Sequence, residues 1–283
     1  MGDLNFTASF KNNALIIFDS LPPSELNTAA RLESDITDYS LAMDRDGYCQ
    51  RFHIENKASL VAHLKSIRYE CQSGVLKPAL HFENHGNKER GLHIYDSNEY
   101  LTWIELLDLI REINSMNGNN TLVTVAACHG YSMASEIDVS KPCPLNTLIA
   151  PKEEVSAGYF IDAMIPFYKS IMASGNLLGA LKHLDSKMDH FIACEFFYSQ
   201  LASFFGKYKS TKSRSALTEE LVTQTLSLTT FKNRHDLRTT RALLKRTLRE
   251  PRDFFEHFSR AFLGDNAPVR FDQFWAFVQS NKD

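Results

Sequence analysis

A chain of 283 residues that is 43% hydrophobic and 23% charged can bury a large core, which excludes wholesale disorder and suits one large domain with an appendage or two modest ones. The net charge of −3 carries no overall signal for nucleic acid, but it is unevenly spread: residues 1–206 carry −9 and residues 207–283 carry +6, a division near Gly206. Cys49, Cys71, Cys128, Cys143 and Cys194 include no CxxC pair and no regular spacing, which excludes a disulfide framework and a zinc knuckle.

The opening MGDLNFTASFKNN lacks the basic flank and apolar core of a signal peptide, and no run approaches the roughly 18 apolar residues of a membrane span. No membrane insertion or myristoyl anchor is expected, and a reducing cytoplasm would keep the thiols free. Residues 14–18 (ALIIF) read as a buried strand ending at Asp19 and Ser20, and Ser24 opens a helix through about Asp38 behind Pro22 and Pro23. A turn at DRDGY leads to a strand over 48–53, and 57–71 reads as an amphipathic helix with Leu60, Val61, Leu64, Ile67 and Tyr69 at helical spacing. Residues 77–82 form the next strand, 83–90 a polar loop, and 91–95 a short strand returning as a hairpin.

A crossover helix spans 100–113, with Leu101, Ile104, Leu107, Leu109 and Ile110 as its apolar stripe. It leads to the most informative stretch, TLVTVAACHG: residues 122–127 are nearly all apolar and half β-branched, as a central parallel strand covered on both faces requires. A small and polar loop over 131–144 precedes a strand at 145–150, helices at 163–173 and 177–184, and a long aromatic helix at 190–205. YKSTKSRS then reads as an exposed basic hinge before helices at 216–228, 237–248, 253–262 and 271–278. The predicted fold is α/β, a mostly parallel sheet flanked by helices over 1–206, followed by a helical C-terminal region, 207–283, with a regulatory or packing role.

In open α/β sheets ligands and chemistry collect beyond the carboxyl ends of the strands, which is where Cys128, His129 and Gly130 fall. The strand over 77–82 ends in the same manner on His85 and Gly86, so two adjacent parallel strands would bring His85 and Cys128, 43 residues apart, to one sheet edge. Amide hydrolysis by cysteine needs a thiolate, an imidazole that takes and returns the proton, and N–H groups for the developing oxyanion. Gly86 permits close approach of a substrate backbone, and Gly130 leaves room at the Cys128 turn. The alternative for Cys128 is a core thiol, and the alternatives to His85 as base are His129 and His81. His81, His85, Cys128 and His129 could also be drawn as a zinc set, but the His81 and His85 spacing falls on strand and loop and no carboxylate motif accompanies it, so no metal is expected. GNKERG lacks the glycine spacing of a phosphate loop.

HFENHG followed by VTVAACHG resembles the caspase-like cysteine peptidases, in particular their bacterial separase-like branch, the CHAT domains, in which one strand ends in His-Gly and a later one in a small residue and Cys. LNTLIAPKEEVSAGYFIDAMIPFYKSIMASGNLLGALKHL is similar to the segment that follows the cysteine there, and the resemblance covers about residues 14–205. It implies a thiol endopeptidase with His85 as base and Cys128 as nucleophile, no cofactor, a protein substrate and no nucleic acid. A bacterial gasdermin-like pore former and a role in antiviral defence are the associated expectations. Caspases proper have Gln before the Ala-Cys pair and usually Arg after it, where this chain has Ala126 and His129, so a pocket selecting aspartate is not implied. In relatives that cut after Arg or Lys, acids from comparable strand ends hold the basic side chain, which makes Asp19, Glu136, Glu153 and Glu154 the candidates here, with Gly86, His129 and Gly130 lining the same site. The alternative is a catalytically silent scaffold that binds a partner. Arg238, Arg241, Lys245 and Arg249 share one helical face that could dock on an acidic surface.

Overall fold

The computed structural model describes residues 10–208, 210–228, 234–248, 251–264 and 267–280. The first nine residues of the segment read for a leader, and Arg249 of the basic face, lie outside them. The chain divides into two compact units, one of Thr7–Ala193 and one holding Cys194–Asp283, so the second unit takes in the last aromatic helix of the expected catalytic domain.

The first unit is built on an eight-stranded, mostly parallel sheet. In chain order its elements are β1 (Ala14–Ser20), α1 (Thr28–Leu41), β2 (Cys49–His53), α2 (Lys57–Gln72), β3 (Pro78–Asn87), β4 (Gly91–Ile94), β5 (Glu99–Leu101), α3 (Trp103–Met116), β6 (Leu122–Ala126), a 3-10 turn (Gly130–Glu136), β7 (Thr147–Pro151), α4 (Ala157–Ser174), α5 (Leu177–Leu181) and β8 (Met188–Ile192). The main path runs β2-β1-β3-β6-β7-β8, parallel except for β8 against β7, with β4 and β5 forming an antiparallel extension from β3. Leu15, Ile17, Phe18, Leu80, Phe82, Leu122, Val123 and Val125 are fully buried, as continuous apolar strands covered on both faces must be. Alternation along β1 and β3 gives the two faces different characters. Phe18 and Phe82 stack at 5.1 Å on one face, and His81 reaches Tyr168 of α4 on the other. Helix α4 packs on α1, and α3 on α2.

Several boundaries differ from the sequence expectation, each for a local reason. β3 does not end at Phe82 but runs to Asn87, because its far end leaves the main sheet and pairs with β4, His85 opposite His93. α1 begins at Thr28 rather than Ser24: the Asn27 side chain accepts from the Ala30 N–H and caps it, leaving Glu25 in the preceding turn. α3 begins at Trp103, capped reciprocally by Thr102 and Glu105, and 100–101 belong to β5. Its buried stripe is Trp103, Leu106, Leu107, Ile110 and Ile113, while Ile104 faces water; Tyr69 of α2 likewise lies outside the buried stripe. The helix expected over 190–205 begins only at Ala193, since 188–192 form the antiparallel strand β8.

The second unit contains α6 (Ala193–Lys207), α7 (Thr211–Leu228), α8 (Arg234–Thr247), α9 (Pro251–Leu263) and α10 (Phe271–Ser280). Most of the expected hinge is therefore helix, because 211–215 form the first turns of α7. Aromatic stacking holds α6 to α9 and α10: Phe197 on Phe262, Tyr198 on Phe255, Phe204 on Phe254 at 4.9 Å, and Phe205 against Trp275. The basic face of α8 is partly committed within this unit, since Arg241 grips Glu219 of α7 through two nitrogens. Among the described residues no helix is long and apolar enough to cross a membrane.

Candidate active site

The site is set by the register of two central strands. β3 pairs with β6 in parallel, Ala79 opposite Leu122 through Glu83 opposite Ala126, after which β3 pairs with β4 and the chain beyond β6 enters the turn that carries Cys128. The two strand ends stay in contact past the ladder: a Cβ added to Gly86 would lie 2.1 Å from the Cys128 carbonyl oxygen and 3.0 Å from Cβ of Ala127. Only glycine lets the two strand ends close to this distance. Below the turn Gly130 is equally confined, since its added Cβ would meet Val125 Cγ1 at 2.7 Å.

The chain reverses after β6 through His129, which has φ of 61°, the left-handed region that histidine tolerates better than most residues. The turn closes with the Gly130 N–H donating to the Ala127 carbonyl at 3.0 Å, and His129 Nδ1 is 3.1 Å from the Lys152 carbonyl oxygen beyond β7. His129 is thus tied toward the β7 side. The Cys128 N–H, by contrast, has no acceptor among the described residues.

His85 is tied to the opposite side. Its Nε2 lies 2.9 Å from Oε1 of Glu25, in the turn between β1 and α1 where the Glu25 N–H donates to the Pro22 carbonyl. Both side chains are accessible, at 46% and 40%. No hydrogen bond joins His85 to Cys128 in this arrangement. Beneath them, on the same face of β3, lies a sealed polar cluster. His81 Nε2 is 2.9 Å from Glu83 Oε2 and its Nδ1 3.0 Å from the Tyr168 hydroxyl, which donates to Thr124 Oγ1 at 2.9 Å; Thr28 of α1 donates to the other Glu83 oxygen. His81, Glu83, Thr28 and Tyr168 are all buried, and burial pushes the Tyr168 phenol well above its usual range. His81 is occupied on both ring nitrogens and bridges β3 to α4.

The acids singled out from sequence are not gathered into one pocket. Asp19 is buried and paired with Arg51 Nη1 at 2.9 Å, and its other oxygen accepts the Leu21 N–H. Arg51 also binds Glu33 at 2.7 Å, so the Asp19 charge is compensated inside the first unit. Glu136 ends the 3-10 turn, and Glu153 and Glu154 follow β7; all three are exposed. Among the cysteines, burial pushes Cys49, Cys71 and Cys194 up to about 12, and buried Cys143 donates to the Leu145 carbonyl. Cys128 is partly exposed at the carboxyl edge of the sheet. Among the described residues no group of three or more His, Cys, Asp or Glu is arranged to hold a metal ion.

Sequence reasoning missed Glu25 and the Glu83 cluster. For Glu83 the signal was present: HFENH places His81, Glu83 and His85 at alternate positions of one strand, hence on one face, if the strand is read past Phe82. For Glu25 the Asn27 cap was the clue, since a helix starting after Asn27 leaves Glu25 in the turn that follows β1. A scan against protein-family models finds no match to this chain, and a comparison with curated proteins finds none either.

Proposed function

We propose that the chain is a cysteine endopeptidase of the caspase-like kind, with Cys128 as nucleophile and His85 as its base. The single observation that supports this reading is the close approach of the two strand ends, where Gly86, the residue after His85, packs against the Cys128 carbonyl. In the reaction the Cys128 sulfur attacks the scissile carbonyl carbon as His85 holds the thiol proton. The carbon–nitrogen bond breaks, His85 gives that proton to the leaving amine, and the acyl group remains on sulfur as a thioester. Water, deprotonated by His85, then releases the acid and restores the thiol. The Cys128 N–H, which has no acceptor among the described residues, is the natural oxyanion donor.

Cleavage after Arg or Lys is the specificity we favour, resting on the exposed carboxylates of Glu136, Glu153 and Glu154 rather than on Asp19, whose charge Arg51 compensates. The second reading is a catalytically silent scaffold, and the observation on its side is that His85 Nε2 is already bonded to Glu25. One experiment decides between them. Fluorogenic peptides with Arg, Lys or Asp at the cleaved position, and a gasdermin-like protein, are offered to the wild type and to Cys128→Ala. Turnover after Arg or Lys that vanishes in the variant with an unchanged circular dichroism spectrum is the expected result. Turnover retained by Cys128→Ala overturns the nucleophile, and a preference for Asp overturns the basic specificity.

A further inference from the structure

The turn between β1 and α1 brings one carboxylate to the imidazole at the site edge, and among the described residues no other charged side chain is bonded to His85. Its neighbours on the same strand are engaged elsewhere: Glu83, two residues earlier, is saturated by His81 and Thr28, and His93, opposite His85 across the hairpin, is 3.0 Å from Asn98 and tilted over Tyr100 at 4.7 Å. His129 on the far side of Cys128 is held by the Lys152 carbonyl. Glu25 therefore faces His85 without a competitor. An imidazole that must hand a proton back and forth needs one nitrogen fixed and the other free for the reacting sulfur, and a carboxylate on the fixed nitrogen selects both the tautomer and the ring plane.

We propose that Glu25 is the positioning residue of this site. Its carboxylate accepts the Nε2–H of His85, leaves Nδ1 as the nitrogen that takes the Cys128 proton, and supports the imidazolium once the proton has moved. This inference rests on the peptidase reading for the role of His85. It adds a third member, supplied by a side chain of the β1–α1 turn, to a pair supplied by β3 and the end of β6. The position of the turn is itself determined by sequence: the Asn27 cap starts α1 late, and the Pro22 carbonyl accepting from the Glu25 N–H folds 22–25 back toward β3.

The test measures the rate at which iodoacetamide alkylates Cys128, read by peptide mapping so that the four other cysteines do not contribute and no substrate need be known. The sulfur displaces iodide in that step, so its rate follows the thiolate that His85 maintains. His85→Ala should slow it by at least about tenfold. Glu25→Ala should slow it by about fivefold, the factor an accessible ion pair can supply, with Glu25→Asp recovering most of the rate and melting temperatures unchanged. Because Glu25 acts through His85, the double variant should be no slower than His85→Ala alone. A Glu25→Ala rate equal to wild type, beside a slow His85→Ala, overturns the positioning role and leaves the peptidase reading standing. A His85→Ala rate equal to wild type overturns the peptidase reading itself. With a cleavable peptide, Glu25→Ala should lower kcat and leave KM in place.

Discussion

Strand β3 carries two histidine–glutamate pairs on one face, and each is closed at 2.9 Å. His81 and Glu83 are 1% and 5% exposed, whereas His85 and Glu25 are 46% and 40% exposed. The same bond has opposite consequences at the two depths. Below, solvent cannot stand in for a lost partner, and the second polar atom of each residue is held in turn, His81 Nδ1 by Tyr168 and the other Glu83 oxygen by Thr28. Above, water competes for both groups, and the pair adds little to stability. A rigid polar base under an adaptable polar edge is what a site needs whose reacting groups must be placed closely yet move protons.

The largest effect should come from breaking the lower pair. Glu83→Ala leaves His81 and Thr28 buried without their acceptor, and removal of one partner of a buried pair costs about 3–5 kcal/mol. Urea unfolding should show that loss, and His81→Ala should approach it. A Glu83→Ala chain as stable as wild type would mean that the cluster is not what fixes α1 and α4 to the sheet, and the contrast between the depths would fail.

Just beyond the upper pair the strand passes through Gly86, where the fit of backbone to backbone replaces side-chain bonding. Gly86→Ala inserts a methyl 2.1 Å from the Cys128 carbonyl oxygen, which no rotamer can relieve. Overpacking of this kind costs about 1–3 kcal/mol. Relief has to come from parting β3 and the Cys128 turn, so cleavage should fall far more than stability does. An active Gly86→Ala enzyme would show that the spacing of the strand ends does not govern the chemistry.

How much of this was legible in the sequence follows the same division. The buried strands announced themselves, because LVTVA and ALIIF admit few readings other than central strands, and the strand over 77–82 does lie parallel beside the one that leads to Cys128. Carboxylate partners did not, since an Asp or Glu in a loop looks alike whether it meets Arg51, His85 or water. Asp19 was read as a substrate acid from its strand end, but Arg51 comes from β2, and only the Ile17–Arg51 pairing next door reveals that they meet. β8 was hidden for another reason: MDHFI is short, and its apolar residues run into those of α6 without a breaker. The aromatic residues of α6 were taken as part of the catalytic domain, yet their stacking partners lie in α9 and α10.

The smallest effect on stability, and the sharpest test of the upper pair, concerns the choice of histidine. His85→Ala removes an accessible pair worth about 0–1 kcal/mol, so its urea midpoint should stay near that of the wild type. His129→Ala removes the bond to the Lys152 carbonyl, worth about 0.5–1.5 kcal/mol, and puts alanine in a left-handed position that histidine tolerates better, so it should be the less stable of the two. Their activities should rank the other way. On the proposed mechanism His85→Ala should cost about 10²–10⁴ in kcat, the contribution of a general base. His129→Ala should keep measurable turnover, because its ring is turned toward Lys152, and His129→Gly should recover stability by suiting the turn. Stability and peptide cleavage measured on the three variants give two rankings that must cross. Should His129→Ala instead abolish cleavage while its fold survives, the base would lie on the β6 turn, and the pair on β3 would have no catalytic role.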